Sequence, residues 1–384
     1  MAGGGSGGHI TPLLSLAREL KKQAPTCRIV YVGPKGDMTE TLSARYGVFD
    51  EVRYITAGKF RRYHGESFIS HLLDIKSLLL NVRDFFKVLA GIFSARRLLK
   101  KLKPDVVFSK GSFVAVPVGV AAHLAKIPIV THDSDVVPGL ANRIVGRWAT
   151  FHATGQPAEL YSYPKSKTVY TGIPIDERLS PITGSRKREL KKQIGLPARA
   201  DLLMIAGGSL GAASINDKFI KIMSRLLANY PNLHVIHIAG IANEAKVKSQ
   251  YQLDPADASR LTILGFSNDY YKYASAADLI VSRGGATALA EFALLAKAVL
   301  LIPAEHLASG HQLANAKRLI QAGAVTVLSD EATPDELYRC LNELLDDPGQ
   351  RRALAAKLAA SAQPRAAVKL AEVILQAAKL QKQV

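Results

Sequence analysis

Leu202-Leu203-Met204-Ile205-Ala206-Gly207-Gly208-Ser209-Leu210-Gly211-Ala212 decides the fold. Its first part is continuously apolar, with no polar residue on alternate positions, so the strand it predicts is covered on both faces. Glycines end the run, and a helix carrying Ile215, Phe219 and Ile220 follows. Strand, glycine turn, helix is the opening of a parallel α/β unit. Its backbone approaches a ligand closely, and the free N–H groups at the helix start face an anion. Outward from this stretch the same alternation continues. Strands are predicted at Arg28–Val32, Glu51–Ile55, Asp105–Ser109, Pro128–Thr131, Thr150–Ala153 and Thr168–Tyr170. A second series lies at Leu202–Ala206, His234–Ala239, Leu261–Leu264, Leu279–Val281, Val299–Ile302 and Ala324–Leu328. The fold class is α/β, with two doubly wound, Rossmann-like parallel-sheet domains facing a cleft. The expected divisions are 1–172, 173–350 and a helical tail, 351–384, which breaks near Pro364 and packs back on the first domain.

The 384 residues suffice for two cores. Cys27 and Cys340 stand apart from any CxxC or Cys/His cluster, which excludes a disulfide scaffold or a zinc ribbon. No apolar run of about 18 residues opens or crosses the chain, so neither a spanning helix nor a signal peptide is expected. The net charge of +18 points to polyanionic partners. Between Ala57 and Lys103 eleven basic residues face three acidic ones, Glu66, Asp74 and Asp84.

A second glycine turn, Gly3-Gly4-Gly5-Ser6-Gly7-Gly8-His9, precedes an apolar helix near the chain start. Such a turn ordinarily follows a strand. Only Met1 and Ala2 precede it, so a first strand that is mostly missing is expected. Ser6 and Ser209 add a hydroxyl to each turn. His9 lies at the helix start, where a neutral imidazole can take a proton from a sugar hydroxyl. Neither turn ends in the Gly-Lys-Ser/Thr of a P-loop.

Three further segments follow strand ends. Ser282-Arg283-Gly284-Gly285-Ala286-Thr287-Ala288-Leu289-Ala290-Glu291 opens a helix and places one carboxylate in an apolar stretch, where it can accept from two adjacent ribose hydroxyls. His306, His311, Gln312 and Asn315 gather after Val299–Ile302, where ligand contacts belong in such folds. His132-Asp133-Ser134-Asp135 contains an Asp-x-Asp, a weak pattern for a divalent cation.

The ordered set GGSGGH, KGSF, THDSD with PGLAN, TGIP, GGSLGAxxIN, SRGGATxxAE and HQxxNA resembles the MurG family across essentially the whole chain. These are inverting N-acetylglucosaminyltransferases of the GT-B architecture, like glycosyltransferase family 28, that complete lipid II. The resemblance implies a first domain that binds a lipid-pyrophosphate acceptor. Ser6, Gly7, Gly8, Gly111 and Ser112 would lie near its phosphates and His9 would be the candidate base. It implies a second domain that binds UDP-N-acetylglucosamine, with Gly208 and Ser209 at the diphosphate, Phe266 and Ser267 at uracil, and Glu291 at ribose. Ala286, Thr287, Ala288, His311 and Gln312 would line the sugar and phosphates. No metal or other cofactor is expected, because helix-terminal N–H groups would hold the leaving diphosphate. The chain departs from the family pattern at Asp135, where an Asn is usual, and at Asp176, where an Arg is usual and Arg178 is the candidate substitute. Thr287 stands one position early, with Ala288 in the usual place.

The implied location is the cytoplasmic face of the cell membrane, held peripherally on an anionic surface. Between Ile75 and Phe93, the residues Ile75, Leu78, Leu79, Val82, Phe85, Phe86, Leu89, Ile92 and Phe93 fall on one helical arc of roughly 140° and read mainly as core. Leu80 and Val88 fall outside it beside Lys76, Arg83 and Lys87, and read as the exposed apolar residues of a basic docking surface. Other readings stay open. One is a different GT-B lipid glycosyltransferase, such as one acting on diacylglycerol. Another is an NAD-dependent oxidoreductase, although Asp37 lies late for a ribose contact. Nucleic-acid binding rests on charge alone and is not expected.

Overall fold

The structure, a computed structural model, describes residues 1–4, 7–35, 47–59, 75–208, 211–304 and 311–381, with backbone only at 7–9 and 75–79. Two compact units divide the chain: Met1–Asp176 with Gln363–Val384, and Glu177–Ala362.

In the first unit, helix α1 (Gly7–Gln23) leads to β1 (Val30–Pro34) and β2 (Glu51–Ile55), which pair in parallel from Val30↔Glu51 to Pro34↔Ile55. Helix α2 (Ile75–Leu102) precedes β3 (Val107–Ser109), α3 (Ala115–Leu124), β4 (Ile129–Asp133), α4 (Leu140–Val145), β5 (Phe151–Thr154) and β6 (Thr168–Tyr170). Strands β3 to β6 form a parallel ladder in sequence order. Ala2 joins the two ladders, bridging Val32 on one side and Ser109 on the other. Its N–H donates to the Phe108 carbonyl (2.8 Å), and its carbonyl accepts from Lys110 N–H (2.9 Å). The residues just ahead of the first glycine turn therefore take the central strand position between β1 and β3.

One face of this sheet packs Val32, Ile55 and Val107 with Ala95, Leu99, Val118 and Ala122 from α2 and α3. The other packs Tyr31, Phe108 and Val130 against Leu13, Leu16 and Leu20 of α1. The stripe of α2 that meets the sheet side is Asp84, Val88, Gly91, Ala95 and Leu99, all buried. A Cβ at Gly91 would stand 2.3 Å from the Thr56 carbonyl oxygen, and one at Gly58 would stand 1.9 Å from that of Asp84. Only small residues allow that approach. This corrects the sequence reading of α2: Val88 is buried and Leu80 half-buried, whereas Phe86 and Phe93 are 63% and 69% exposed. Val82, Phe85 and Leu89 are exposed with them.

The second unit starts with α5 (Gly184–Gln193) and β7 (Asp201–Ala206), then α6 (Ala213–Asn229), β8 (Leu233–Ile238), α7 (Glu244–Gln250), α8 (Pro255–Ala258), β9 (Leu261–Leu264) and α9 (Tyr270–Ala276). It continues through β10 (Leu279–Ser282), α10 (Ala286–Leu294), β11 (Ala298–Leu301), α11 (His311–Gln321), β12 (Thr326–Val327), α12 (Pro334–Asp346) and α13 (Pro348–Ala359). Its six strands are all parallel, in the order β12-β11-β10-β7-β8-β9. The winding direction reverses between β7 and β10, which makes that gap the ligand-binding switch point of a doubly wound sheet. Leu203, Ile205, Val281 and Leu300 pack there against Ile215, Phe219, Leu337 and Leu341.

The last helix, α14 (Ala366–Gln381), returns to the first unit, where Leu370 and Ile374 join the α1 side of the core. The tail 351–384, expected to break near Pro364 and pack back on the first domain, does so only from Gln363 onward: α13 stays with the second unit.

Candidate functional site

Two groups of residues stand at strand carboxyl ends, one in each unit. In the first unit a cavity of about 320 Å³ opens beyond β3 and β4, with Lys110, Ser112, Asp133, Ser134, Asp135 and Asn142 among its lining residues. Gly111 and Ser112 take successive left-handed conformations (φ 92° and 71°). The Gly111 N–H donates to Ser109 Oγ (3.3 Å), while the buried Ser112 hydroxyl finds no partner among the described residues.

Asp133 is fixed by two donors. Asn142 Nδ2 reaches one carboxylate oxygen (3.0 Å) and the Tyr163 hydroxyl the other (2.9 Å). Burial outweighs them and raises its pKa from 3.8 to about 6. Lys110 donates to Ser134 Oγ (2.8 Å), and burial lowers its ammonium to about 8 against the pull of Asp135 and Asp133. The Asp135 carbonyl accepts from Tyr161 (3.0 Å). Behind them His132 Nε2 lies 2.9 Å from the Gly172 carbonyl oxygen. The structure thus gathers Gly111, Ser112 and Asp135 of the expected acceptor residues. Sequence reading missed Lys110, Asn142 and Tyr163, although Lys110 and Asn142 lie inside the KGSF and PGLAN segments. Ser6 lies outside the described residues. Gly7, Gly8 and His9 form the first turn of α1.

In the second unit the expected donor residues other than Phe266 and Ser267 follow three adjacent strands. Ala206 of β7 pairs with Ser282 of β10, which pairs with Leu301 of β11. After β7 come Gly208 (φ 98°) and Gly211 (φ 77°). A Cβ at Gly211 would lie 2.0 Å from the Ala239 carbonyl oxygen, so the turn is pressed onto the end of β8. After β10, Ala286, Thr287 and Ala288 form the first turn of α10, whose amino end has no side-chain cap. Glu291 is buried one turn later, where its carboxylate accepts from the Tyr270 hydroxyl and burial holds that phenol far above its ordinary pKa.

After β11, Gln312 Oε1 accepts from Ala304 N–H (2.8 Å), and His311 Nδ1 is buried without a hydrogen-bond partner among the described residues. Beyond β9, Phe266 is exposed and Ser267 Oγ accepts from Asp269 N–H (3.0 Å). Arg178 places its guanidinium 4.2 Å above the Tyr271 ring, beside Tyr270. Asp176, by contrast, closes the first unit. Ser209, His306 and Asp37 lie outside the described residues. Tyr270 carried no signal in the sequence, because its partner is distant along the chain.

Residues 1–154 match the glycosyltransferase family 28 N-terminal domain, and residues 202–370 match the family's C-terminal domain. A Clostridium botulinum (strain Loch Maree / Type A3) protein named UDP-N-acetylglucosamine--N-acetylmuramyl-(pentapeptide) pyrophosphoryl-undecaprenol N-acetylglucosamine transferase is 36% identical, with 90% of each chain covered. The chain belongs to the MurG family of glycosyltransferases. A Thermodesulfovibrio yellowstonii MurG relative of the same name is 31% identical over 97% of this chain and 96% of its own. The solved structure of Acinetobacter baumannii MurG is similar at 28% identity and a TM-score of 0.71, covering 98% of both chains. Membership accounts for both glycine turns and for two parallel-sheet units of the GT-B kind.

Proposed function

We propose that this chain moves N-acetylglucosamine from UDP-N-acetylglucosamine to the muramyl sugar of an undecaprenyl-pyrophosphoryl-MurNAc-peptide, making lipid II from lipid I. One observation carries the reading: transferases of that name are 31–36% identical over nine-tenths or more of this chain. Gly208 after β7 and Ala286 to Glu291 after β10 flank the switch point between those strands, which supports it.

The acceptor hydroxyl attacks the anomeric carbon from the side opposite the diphosphate. The new C–O bond forms as the bond to the diphosphate oxygen breaks, and UDP leaves with inversion. His9 takes the hydroxyl proton in this reading. The amino ends of α6 and α10 hold the negative charge that grows on the diphosphate. Glu291 accepts the ribose hydroxyls, and Gly111, Ser112 and Asp135 line the acceptor pocket. The enzyme works peripherally at the cytoplasmic membrane face, and no described helix is long and apolar enough to cross a membrane.

Asp135, in place of the usual Asn, favours one second reading, a GT-B transferase acting on another lipid. Mass spectrometry of the product separates the two. With UDP-N-acetylglucosamine, a lipid-pyrophosphoryl-muramyl-peptide gains one N-acetylhexosamine while diacylglycerol gains none. Transfer to diacylglycerol alone would replace the proposal with the second reading.

A further inference from the structure

A buried ionic knot joins the two glycine turns of the second unit. Arg283 is the first residue after β10 and precedes the Gly284-Gly285 turn that opens α10. It is 8% exposed. Its Nη1 donates to the Ile302 carbonyl at the end of β11 (3.1 Å) and lies 2.7 Å from Asp330 Oδ1. Its Nη2 donates to the hydroxyl of Ser214, the second residue of α6. Ser214 passes the contact on, donating to the same Asp330 oxygen (2.7 Å). Lys218, one turn along α6, donates to the Asp330 carbonyl (2.6 Å), and its ammonium lies 3.9 Å from the Asp330 carboxylate.

Burying a guanidinium is costly, and an apolar cluster would usually stabilise the same place as well. The knot's position supplies the reason to keep it. It sits at the carboxyl end of the sheet, at the switch point, and links residues adjoining both turns there. The planar fork of an arginine reaches the carbonyl, hydroxyl and carboxylate together, which a lysine cannot do. Arg283 and Lys218 against Asp330 also leave one net positive charge beneath two helix amino ends.

We propose that Arg283 is a positioning residue for the donor's diphosphate: through Ser214 and Asp330 it fixes the amino ends of α6 and α10 relative to each other, so that both point N–H groups at the same pair of phosphates. This rests on the UDP-sugar reading of the site. The knot does not touch the nucleoside in this account, so its loss acts on phosphate recognition and leaves uridine recognition intact.

Calorimetry with uridine, UMP and UDP on the full chain tests it. Ser214→Ala removes one link with little risk to folding, and Arg283→Lys keeps the charge while losing the fork. Both variants are expected to bind uridine as the unchanged protein does. UDP should weaken about tenfold, the size of one charge-assisted hydrogen bond, with UMP falling less. Thermal melting of Ser214→Ala within a few degrees of wild type keeps the comparison valid should Arg283→Lys fold poorly. Equal losses for uridine and UDP, or no loss in Ser214→Ala, overturn the positioning role. Full UDP affinity in a folded Arg283→Lys also overturns it, since charge alone would then suffice. If the unchanged chain binds none of the three ligands, the donor reading itself fails.

Discussion

At the residue scale the proposed donor site includes a carboxylate, Glu291, whose partner the sequence pattern does not reveal. Glu291 shares a buried hydrogen bond with Tyr270, so the successive helices α9 and α10 together fix its carboxylate. Replacing Glu291 by Gln keeps the volume and removes the charge. UDP affinity should fall about ten- to a hundredfold, since hydrogen bonds to a charged group are worth about 1.5–3 kcal/mol. Tyr270→Phe should cost less, because the carboxylate stays. Unchanged UDP affinity in Glu291→Gln, measured by calorimetry, removes Glu291 from the ribose site.

Asp133 gives a pH signature in the other unit. Its folded pKa of about 6 stands above the ordinary 3.8, so the folded state holds the proton more tightly than the unfolded chain. The associated stability is fully present below about pH 3.8 and is lost as pH rises through about 6. Wild type should therefore lose stability relative to Asp133→Asn between pH 4.5 and pH 7. Urea unfolding at both ends of that window checks the sign.

At the element scale the strands were legible because covered parallel strands are continuous apolar runs. Among the described residues all twelve strands overlap the runs read from sequence. The face of α2 was not legible. Periodicity finds an apolar arc but cannot say which side meets the sheet, and the bulkier arc reads as core. The buried side is set by close approach at Gly91 and Gly58, a contact between segments that periodicity along one helix does not encode. Buried polar knots were illegible for a related reason: Arg283, Ser214 and Asp330 are remote in sequence, and each alone reads as an ordinary surface residue.

The uncapped amino ends of α6 and α10 also carry a prediction. Each helix presents roughly half a positive charge at its start, enough to hold a diphosphate without a cation. Transfer should persist in EDTA at the rate seen with Mg²⁺. Loss on chelation, restored by Mg²⁺ or Mn²⁺, would assign the leaving group to a metal instead.

At the scale of the whole molecule the net charge of +18 has to be placed. Along α2 the exposed Val82, Phe85, Phe86, Leu89 and Phe93 lie among Arg83, Lys87, Arg96, Arg97, Lys100 and Lys101. An exposed row of phenylalanines within a basic field suits a bilayer surface. On the proposed membrane-bound enzyme the rings would enter the headgroup boundary while the cations meet anionic lipid. A nucleic-acid face would use the same charge, but vesicle binding would then not depend on Phe86 and Phe93. The double change Phe86→Ser and Phe93→Ser touches neither the buried stripe of α2 nor the donor unit, so folding and UDP affinity should remain unchanged.

Binding to vesicles containing anionic lipid should fall at least tenfold in that variant, because two large rings together contribute about 3–6 kcal/mol when fully buried and part of that on a surface. In the unchanged protein the same binding should weaken as salt rises, since surface attraction is screened over about 8–10 Å. Neutral vesicles should bind less at every salt concentration. Val88→Ser serves as the contrast. Val88 is buried against the sheet side of α2, so its change should lower the melting temperature and leave vesicle affinity of the folded protein alone. Vesicle binding that survives loss of both rings would free this face of α2 from the membrane and leave its basic residues to another polyanion.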